Sequence, residues 1–435
     1  MFGEKRENQH YHPLSGSLPS FRSGEPFLRL SKQPEDKIFA LNARFKAAER
    51  SYHSGKLELE PINLGIGKFV NDKGQTPQME SVSRAVDRAR VRLNVDKNGG
   101  YLPITGEPNF CAGVEDLVLG QNTAHSLRQE GRLVTVQSLG GTGALNLAAQ
   151  LLKQGGVSEI YVSNPTWANH HKLFNTAGLE TPAFPYLNWS TNTLDFSEMM
   201  ESHSELSRGT VIKEDACCHN PTGCDRTKEQ WDESAELYKK RGLVALFDSA
   251  YAGFGDSVDQ DLYGVRKFVE MGVPTLLCFS FSKTAGLYEE RLGALLVITP
   301  PDTGSSPGQS LRIKENLASI IRTTYSNPPA LHARAMAEVL LQTEPRAQWL
   351  REQKEIATQI QNGRELMVSA LEKRGLSTGE IATQKGMFSF LPISDSIADR
   401  LERDAQIYMV GKRINFAAVK AHNIEAIADR IAILS

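Results

Sequence analysis

The 435-residue sequence is short of several things, and each shortage excludes a class of protein. Its five cysteines, Cys111, Cys217, Cys218, Cys224 and Cys278, are an odd number in a long chain, so no disulfide framework builds the fold and a reducing compartment suits it. No uncharged apolar run reaches the roughly 18 residues that span a bilayer. The first 26 residues hold no apolar stretch of the kind that directs export, and Glu4 and Glu7 are foreign to a transit peptide, so the sequence predicts an unexported, cytoplasmic protein. Net charge is only -2 and no basic segment precedes Pro34, which argues against a nucleic-acid partner. Two motifs are incomplete. "CCHNPTGC" has no second ligand pair, and neighbouring cysteines on an extended chain point to different sides, so its thiols read as buried side chains rather than a metal site. In "LGGTGALN", counting G-x-G-x-x-G from Gly141 puts Asn146 at the last glycine, and the dinucleotide fingerprint fails.

What is present is an ordinary globular composition, 40% hydrophobic and 23% charged, in a chain long enough for a large domain and a smaller one. Polar residues 1–33 read as an N-terminal extension or arm. "PEDKIFALNARFKAAER" then puts Ile38, Leu41 and Phe45 on one helical face. From Leu133, short apolar runs ("LVTVQ", "EIYVSN", "LVALFD", "TLLCFSFS", "LGALLVI") alternate with helical stretches such as "GALNLAAQLLKQ" and "TKEQWDESAELYKKRG". That alternation predicts an α/β fold, a mainly parallel sheet flanked by helices. After about Pro329, long amphipathic helices lead into short strand-like pieces ("GMFSFLPI", "IYMV", "RINFAAV") and a last helix, the pattern of a small α+β domain. The divisions are 34–75 for the N-terminal part of the small domain, 76–329 for the large domain, and 330–435 for linking helices and the C-terminal small domain. "TPPDTGSSPGQS", residues 299–310, reads as a surface loop.

In open α/β sheets ligands sit outside the carboxyl ends of the strands, and several chemistry-bearing residues fall there. The turn and helix start at Gly141, Thr142 and Gly143 either hold a phosphate on backbone N–H groups or serve as a plain structural turn. Asp248 ends the run "LVALFD", with Tyr251 three residues on. A carboxylate buried there needs a cation, which a protonated pyridine nitrogen, a salt bridge or a helix terminus would each supply. "CFSFSKTAGLYEERLG" ends a strand on Lys283 and follows it with Arg291 eight residues later. An amine at a strand end, a phosphate anchor and an acid for a ring nitrogen are together what pyridoxal 5'-phosphate chemistry requires. Arg322 and Arg413 lie in short apolar contexts and fit either substrate carboxylates or structural ion pairs.

With these residues in view, the sequence resembles the aspartate/aromatic group of class I aminotransferases, enzymes of PLP fold-type I. The similarity runs from about Pro34 to the C-terminus through "INLGIGKFVNDKG", "GGYLPITGEPNF", "VQSLGGTGALNL", "VSNPTWANHHKLFNTAGL", "HNPTGCD", "FDSAYAGF", "SFSKTAGLYEERLG", "YSNPPALHARA" and "GMFSF". The resemblance implies a large domain with a mainly parallel seven-stranded sheet and a smaller α+β domain. It implies that Lys283 forms the Schiff base with the cofactor and shuttles the proton, that Asp248 pairs with the pyridine nitrogen with His170 behind it, and that Tyr251 and Asn220 bond the phenolic oxygen. Trp167 would stack on the ring. Gly141, Thr142, Ser280 and Arg291 would hold the phosphate, with Tyr101 reaching in from a second subunit. Arg413, helped by Gly67 and Asn220, would bind the α-carboxylate, and Arg322 would cross a homodimer interface to a distal carboxylate. The implied reaction is ping-pong transfer of an amino group from aspartate or an aromatic amino acid to 2-oxoglutarate, with aromatic-selective transfer and another fold-type I reaction as the alternatives. Two departures stand out: Lys68 where the family has a small or apolar residue beside the substrate, and Phe39 where it has an entrance leucine.

Overall fold

In the computed structural model, which describes residues 27, 29–32, 35–96, 100–301 and 308–435, seven strands form one sheet. They are β1 (Leu133–Leu139), β2 (Ile160–Asn164), β3 (Ala183–Pro185), β4 (Val211–Asp215), β5 (Val244–Ser249), β6 (Thr275–Ser280) and β7 (Leu292–Ile298). Across the sheet the order is β1-β7-β6-β5-β4-β2-β3, and β7 alone runs antiparallel to its neighbours. This is the α/β architecture the alternating pattern predicts. Side chains two apart share a face: Leu246 and Leu276 pack with Leu145, Ala148 and Leu317 on one side, while Phe247 and Leu277 pack with Trp231, Tyr238 and Phe268 on the other. Each such side chain contributes about 1.5–3 kcal/mol on full burial, which lets the sheet carry a charged strand near its centre.

That strand is β4. Its sequence, Val-Ile-Lys-Glu-Asp, has too few apolar residues to read as a buried strand, and β3 is three residues ending in proline, so neither is announced by the sequence. The helix expected over "TKEQWDESAELYKKRG" is Lys228–Arg241, opened by a Thr227/Gln230 capping box and closed by Gly242 at φ 68°.

Five helices position the site: α1 (Lys37–His53), α2 (Gly140–Gln154), α3 (Asn169–Thr176), α4 (Gln309–Thr324) and α5 (Thr343–Glu372). Helix α1 starts where Asp36 Oδ1 accepts the N–H groups of Ile38 (2.9 Å) and Phe39 (3.2 Å). Residues 62–63 pair in parallel with 407–408, and 388–390 pair antiparallel with 413–415, so segments before and after the sheet meet. Helix α5, roughly 45 Å long at 1.5 Å per residue, bridges to that region. Near its start Trp349 Nε1 donates to the Thr284 carbonyl (3.0 Å) and Gln353 Nε2 to that of Ala252 (2.7 Å). Farther along, buried Arg364 donates to the carbonyls of Ile381 (2.9 Å) and Gly386 (2.7 Å) and to Ser389 Oγ (2.6 Å), anchoring the 388–390 strand.

Residues 1–26 of the N-terminal extension and 302–307 of the 299–310 loop lie outside the described residues. Among the described residues no helix is long and apolar enough to cross a membrane.

Candidate active site

Because β7 is reversed, its amino end lies at the same sheet edge as the carboxyl ends of β1 and β6, with Leu292 opposite Leu139 and Gly293 opposite Ser280. A cavity of about 450 Å³ opens there. Gly141, Thr142, Trp167, Asn220, Asp248, Tyr251, Ser280, Lys283 and Arg291 line it, together with Gly67 and Arg413 from the chain before and after the sheet.

One end of the cavity is built for an anion. Helix α2 begins without a side-chain cap, which leaves its first N–H groups and its positive dipole end to a ligand. Gly140 has φ 71°, and a Cβ there would lie 2.5 Å from Arg291 Nη2, so only glycine lets the guanidinium lie against the turn. Arg291 Nη1 donates to Ser282 Oγ (2.9 Å) and to the Tyr288 carbonyl (2.8 Å), which fixes its orientation. Ser280 Oγ accepts the Ser282 N–H at 3.3 Å and starts the one-turn helix Phe281–Thr284 that carries Lys283.

Asp248 sits at the other end. Its Oδ2 faces His170 Nε2 at 3.2 Å, and His170 Nδ1 lies 2.8 Å from Thr166 Oγ1. Trp167 meets the edge of the His170 ring at 5.2 Å between centroids. Burial lowers His170 to about 4, so the ring is neutral near pH 7. Burial raises Asp248, but the His170 hydrogen bond and the Lys213 and Lys283 cations outweigh it and hold the carboxyl below its ordinary value. A buried, ionised carboxylate at the floor of a cavity is primed for a cationic partner.

Lys283 Nζ lies 4.8 Å from the centre of the Tyr251 ring. Burial, reinforced by Arg291 and Arg413 and opposed by Asp248, lowers it from 10.5 to about 8. Its neutral, nucleophilic form is therefore present near physiological pH. Between those two values the unfolded chain binds more protons here than the folded one, so the folded state gains stability as pH rises from about 8 to 10.5. The expected result, read by thermal unfolding of the ligand-free protein, is that Lys283→Met is stabilised relative to wild type at pH 7 and that the gap shrinks through this window.

Arg413 closes the third side. Nη1 donates to Asn220 Oδ1 (3.0 Å), and the guanidinium lies 4.2 Å over the Phe388 ring. Its Nε and Nη2 are buried without a protein partner, two donors on one planar fork. A carboxylate satisfies both.

Tyr101 and Arg322 do not line the cavity. Tyr101 is 94% exposed, and exposed Arg322 donates to Ser326 Oγ at 2.7 Å. Lys68 is exposed and lines a neighbouring cavity with Glu290 and His332, because Gly67 faces the site and the next residue turns away. Phe39 does line the site, beside Ile38. Sequence reasoning missed Ser282, Tyr288 and Phe388; the serine alternation in "SFSK" is the one signal that could have found Ser282. It also set the adjacent thiols apart. Cys218 adopts φ 53°, which turns the chain so that Cys217, Cys218 and Asp261 bring their ligand atoms within 4.8 Å of one another. The Asp261 carboxylate already accepts the N–H groups of Gly253, Gly255 and Asp256. Against a hydrogen bond from Cys217, burial pushes Cys218 up to about 12, so these thiols stay protonated.

The family described as aminotransferase class I and II matches residues 60–431. Aspartate aminotransferase of Escherichia coli (strain K12) is 36% identical over 409 residues, 93% of this chain and 99% of that protein. The crystal structure of aromatic-amino-acid aminotransferase from Burkholderia pseudomallei, covalently bound to pyridoxal phosphate, superposes with a TM-score of 0.86 at 36% identity, covering 94% of this chain and 99% of that one. Aspartate aminotransferase from Saccharomyces cerevisiae cytoplasm superposes with a TM-score of 0.85 at 31% identity, over 94% and 98% of the two chains.

Proposed function

The chain belongs to the class I and II aminotransferases, and from that premise we propose that the Lys283 cavity is its active site. The protein is a pyridoxal 5'-phosphate-dependent transaminase that moves the amino group of aspartate or an aromatic amino acid to 2-oxoglutarate. The observation that carries the site assignment is the pair of unpartnered donors on buried Arg413, a residue that lines the same cavity as Lys283 and Asp248.

The residues present fit the cofactor. The uncapped turn at Gly141 and Thr142, with Ser280 and Arg291, would hold its phosphate, Trp167 would cover the ring, and ionised Asp248 would take the protonated ring nitrogen. Asn220 accepts from Arg413 through Oδ1, which leaves its amide N–H groups, with the Tyr251 hydroxyl, to donate to the phenolic oxygen. Bound there, the cofactor supplies an electron sink for the bond breaking at the substrate Cα. Arg413 orients the α-carboxylate, so that Cα faces Lys283. Lys283 would hold the cofactor and, when its amine is free, take the proton from the substrate Cα at Nζ, and with a 2-oxo acid the same groups would act in the opposite sense. Ile38, Phe39 and Phe388 wall the site with apolar surface and limit water. Exposed Phe39 offers a face to aromatic side chains.

The distal carboxylate needs a further cation, which we assign to Arg322 of a second copy in a homodimer, with that copy's Tyr101 at the phosphate. Their exposure outside the lining of their own cavity and the exposed Val91, Val95 and Leu341 on the packed helices 80–96 and 331–341 support this reading. We also read 76–329 as the cofactor-binding domain, with 34–75 and 330–435 forming the smaller one, supported by the strand pairing of 62–63 with 407–408. Five unpaired, buried cysteines support a cytoplasmic setting.

Steady-state rates with aspartate and 2-oxoglutarate test the reaction: parallel double-reciprocal lines are expected, whereas ammonia or carbon dioxide release without an acceptor would overturn it. In the same assay Arg413→Leu is expected to lose kcat/KM by about 10³-fold, the effect of stranding a buried carboxylate. An unchanged kcat/KM would remove Arg413 from the site.

A further inference from the structure

Strand β4 lies between β5 and β2, and strands covered on both faces are normally apolar throughout. It carries Lys213, Glu214 and Asp215 instead. Glu214 is answered on its own face by Arg226 at 2.9 Å and by the Tyr238 hydroxyl. Lys213 and Asp215, two residues apart, share the opposite face. The Lys213 side chain is 0% exposed; its ammonium pairs with Asp215 Oδ2 and lies 3.5 Å from Thr166 Oγ1. From Thr166 the contacts continue to His170 Nδ1 (2.8 Å) and from His170 Nε2 to Asp248 Oδ2 (3.2 Å). Asp215 and Asp248 are also direct neighbours across the β4/β5 ladder.

We infer that Lys213, held by Asp215, is a positioning residue for the Asp248 carboxylate, because it fixes the direction of this hydrogen-bond chain and with it the tautomer of His170. An ammonium group only donates and an ionised carboxylate only accepts. Thr166 Oγ1 therefore accepts from Lys213 and gives its single proton to His170 Nδ1. The His170 proton is left on Nε2, pointing at Asp248. Without Lys213 the Thr166 hydroxyl loses the donor that turns its proton toward Nδ1 and is free to accept from an Nδ1–H, which withdraws support from the Nε2–H that the Asp248 carboxylate requires. The charge of Lys213 acts in the same sense, since it disfavours a second proton on His170 and favours the Asp248 anion. The inference rests on Asp248 serving the cofactor ring nitrogen, as proposed above. If the pair were only structural, replacing both charges by apolar groups would leave packing and chemistry alike unaffected.

Two measurements on the holoenzyme test it. Histidine-selective ¹⁵N NMR of the unaltered protein is expected to show His170 protonated on Nε2; a proton on Nδ1 would overturn the inference. The double substitution Lys213→Leu with Asp215→Leu strands no buried ion. It is expected to hold KM within about two-fold, lower kcat about 10-fold, speed cofactor loss on dialysis and move the His170 proton signature off Nε2. Wild-type kcat with an unmoved His170 signal contradicts the inference. Should that variant be insoluble, Thr166→Val breaks the same chain at constant volume and is judged by the same two readouts. If the unaltered protein transfers no amino group while the His170 tautomer still follows Lys213, the proposed function fails and the positioning role stands.

Discussion

Lys283→Ala is expected to lower kcat by about 10⁴-fold or more while the protein stays folded, because one amine both binds the cofactor and moves the Cα proton. No neighbouring group can replace it. The Tyr251 hydroxyl is pushed up by burial and holds its proton, His170 is neutral but turned toward Asp248, and the guanidinium groups of Arg291 and Arg413 are donors with no acceptor lone pair. The substitution removes a costly buried amine rather than a partnered one, so thermal unfolding should show a midpoint at or above that of wild type. A variant that retains more than about a hundredth of wild-type kcat would mean that another base moves the proton.

Asp248→Asn is expected to lower kcat by about 10³-fold, with a smaller change in KM for the amino acid. Asparagine keeps the shape and an oxygen for His170 Nε2, but it removes the negative charge that a protonated ring nitrogen requires. Pre-organised charge of this kind contributes about 3–4 kcal/mol in a water-poor site. The structure concentrates three features on that carboxylate: the neutral donor His170, the nearby cations Lys213 and Lys283, and burial at the end of β5. Measured kcat at saturating cofactor separates the electronic effect from weakened cofactor binding. A ten-fold or smaller loss would place the ring nitrogen elsewhere.

Much of this was legible in the sequence because the residues concerned obey local rules. β5 and β6 are apolar runs ended by chemistry-bearing side chains and β7 is an apolar run preceded by one, so Asp248, Ser280, Lys283 and Arg291 stand out beside strand ends in the sequence itself. Gly140 and Gly141 follow a strand and open a helix, which marks a turn. What stayed hidden is non-local or compensated. The contact of Arg413 with Asn220 spans 193 residues of chain, and the bridge of α5 from Thr284 to Gly386 depends on packing that no short pattern encodes. β4 failed to read as a strand because hydropathy cannot see that each of its charges has an internal partner. Of the two departures from the family pattern, the backbone at Gly67 turns Lys68 out of the site, which leaves Phe39 inside.

The most direct test is the visible absorbance of the purified holoenzyme while aspartate, then in a separate sample phenylalanine, is added, followed by 2-oxoglutarate. The account predicts that either amino acid shifts the cofactor band and that the oxo acid alone restores it, with the concentrations required ranking the two donors. A protein that shows no such band after pyridoxal 5'-phosphate is supplied, or whose band shifts with an amino acid and is not restored by the oxo acid, would contradict the assignment of Lys283 and of amino-group transfer.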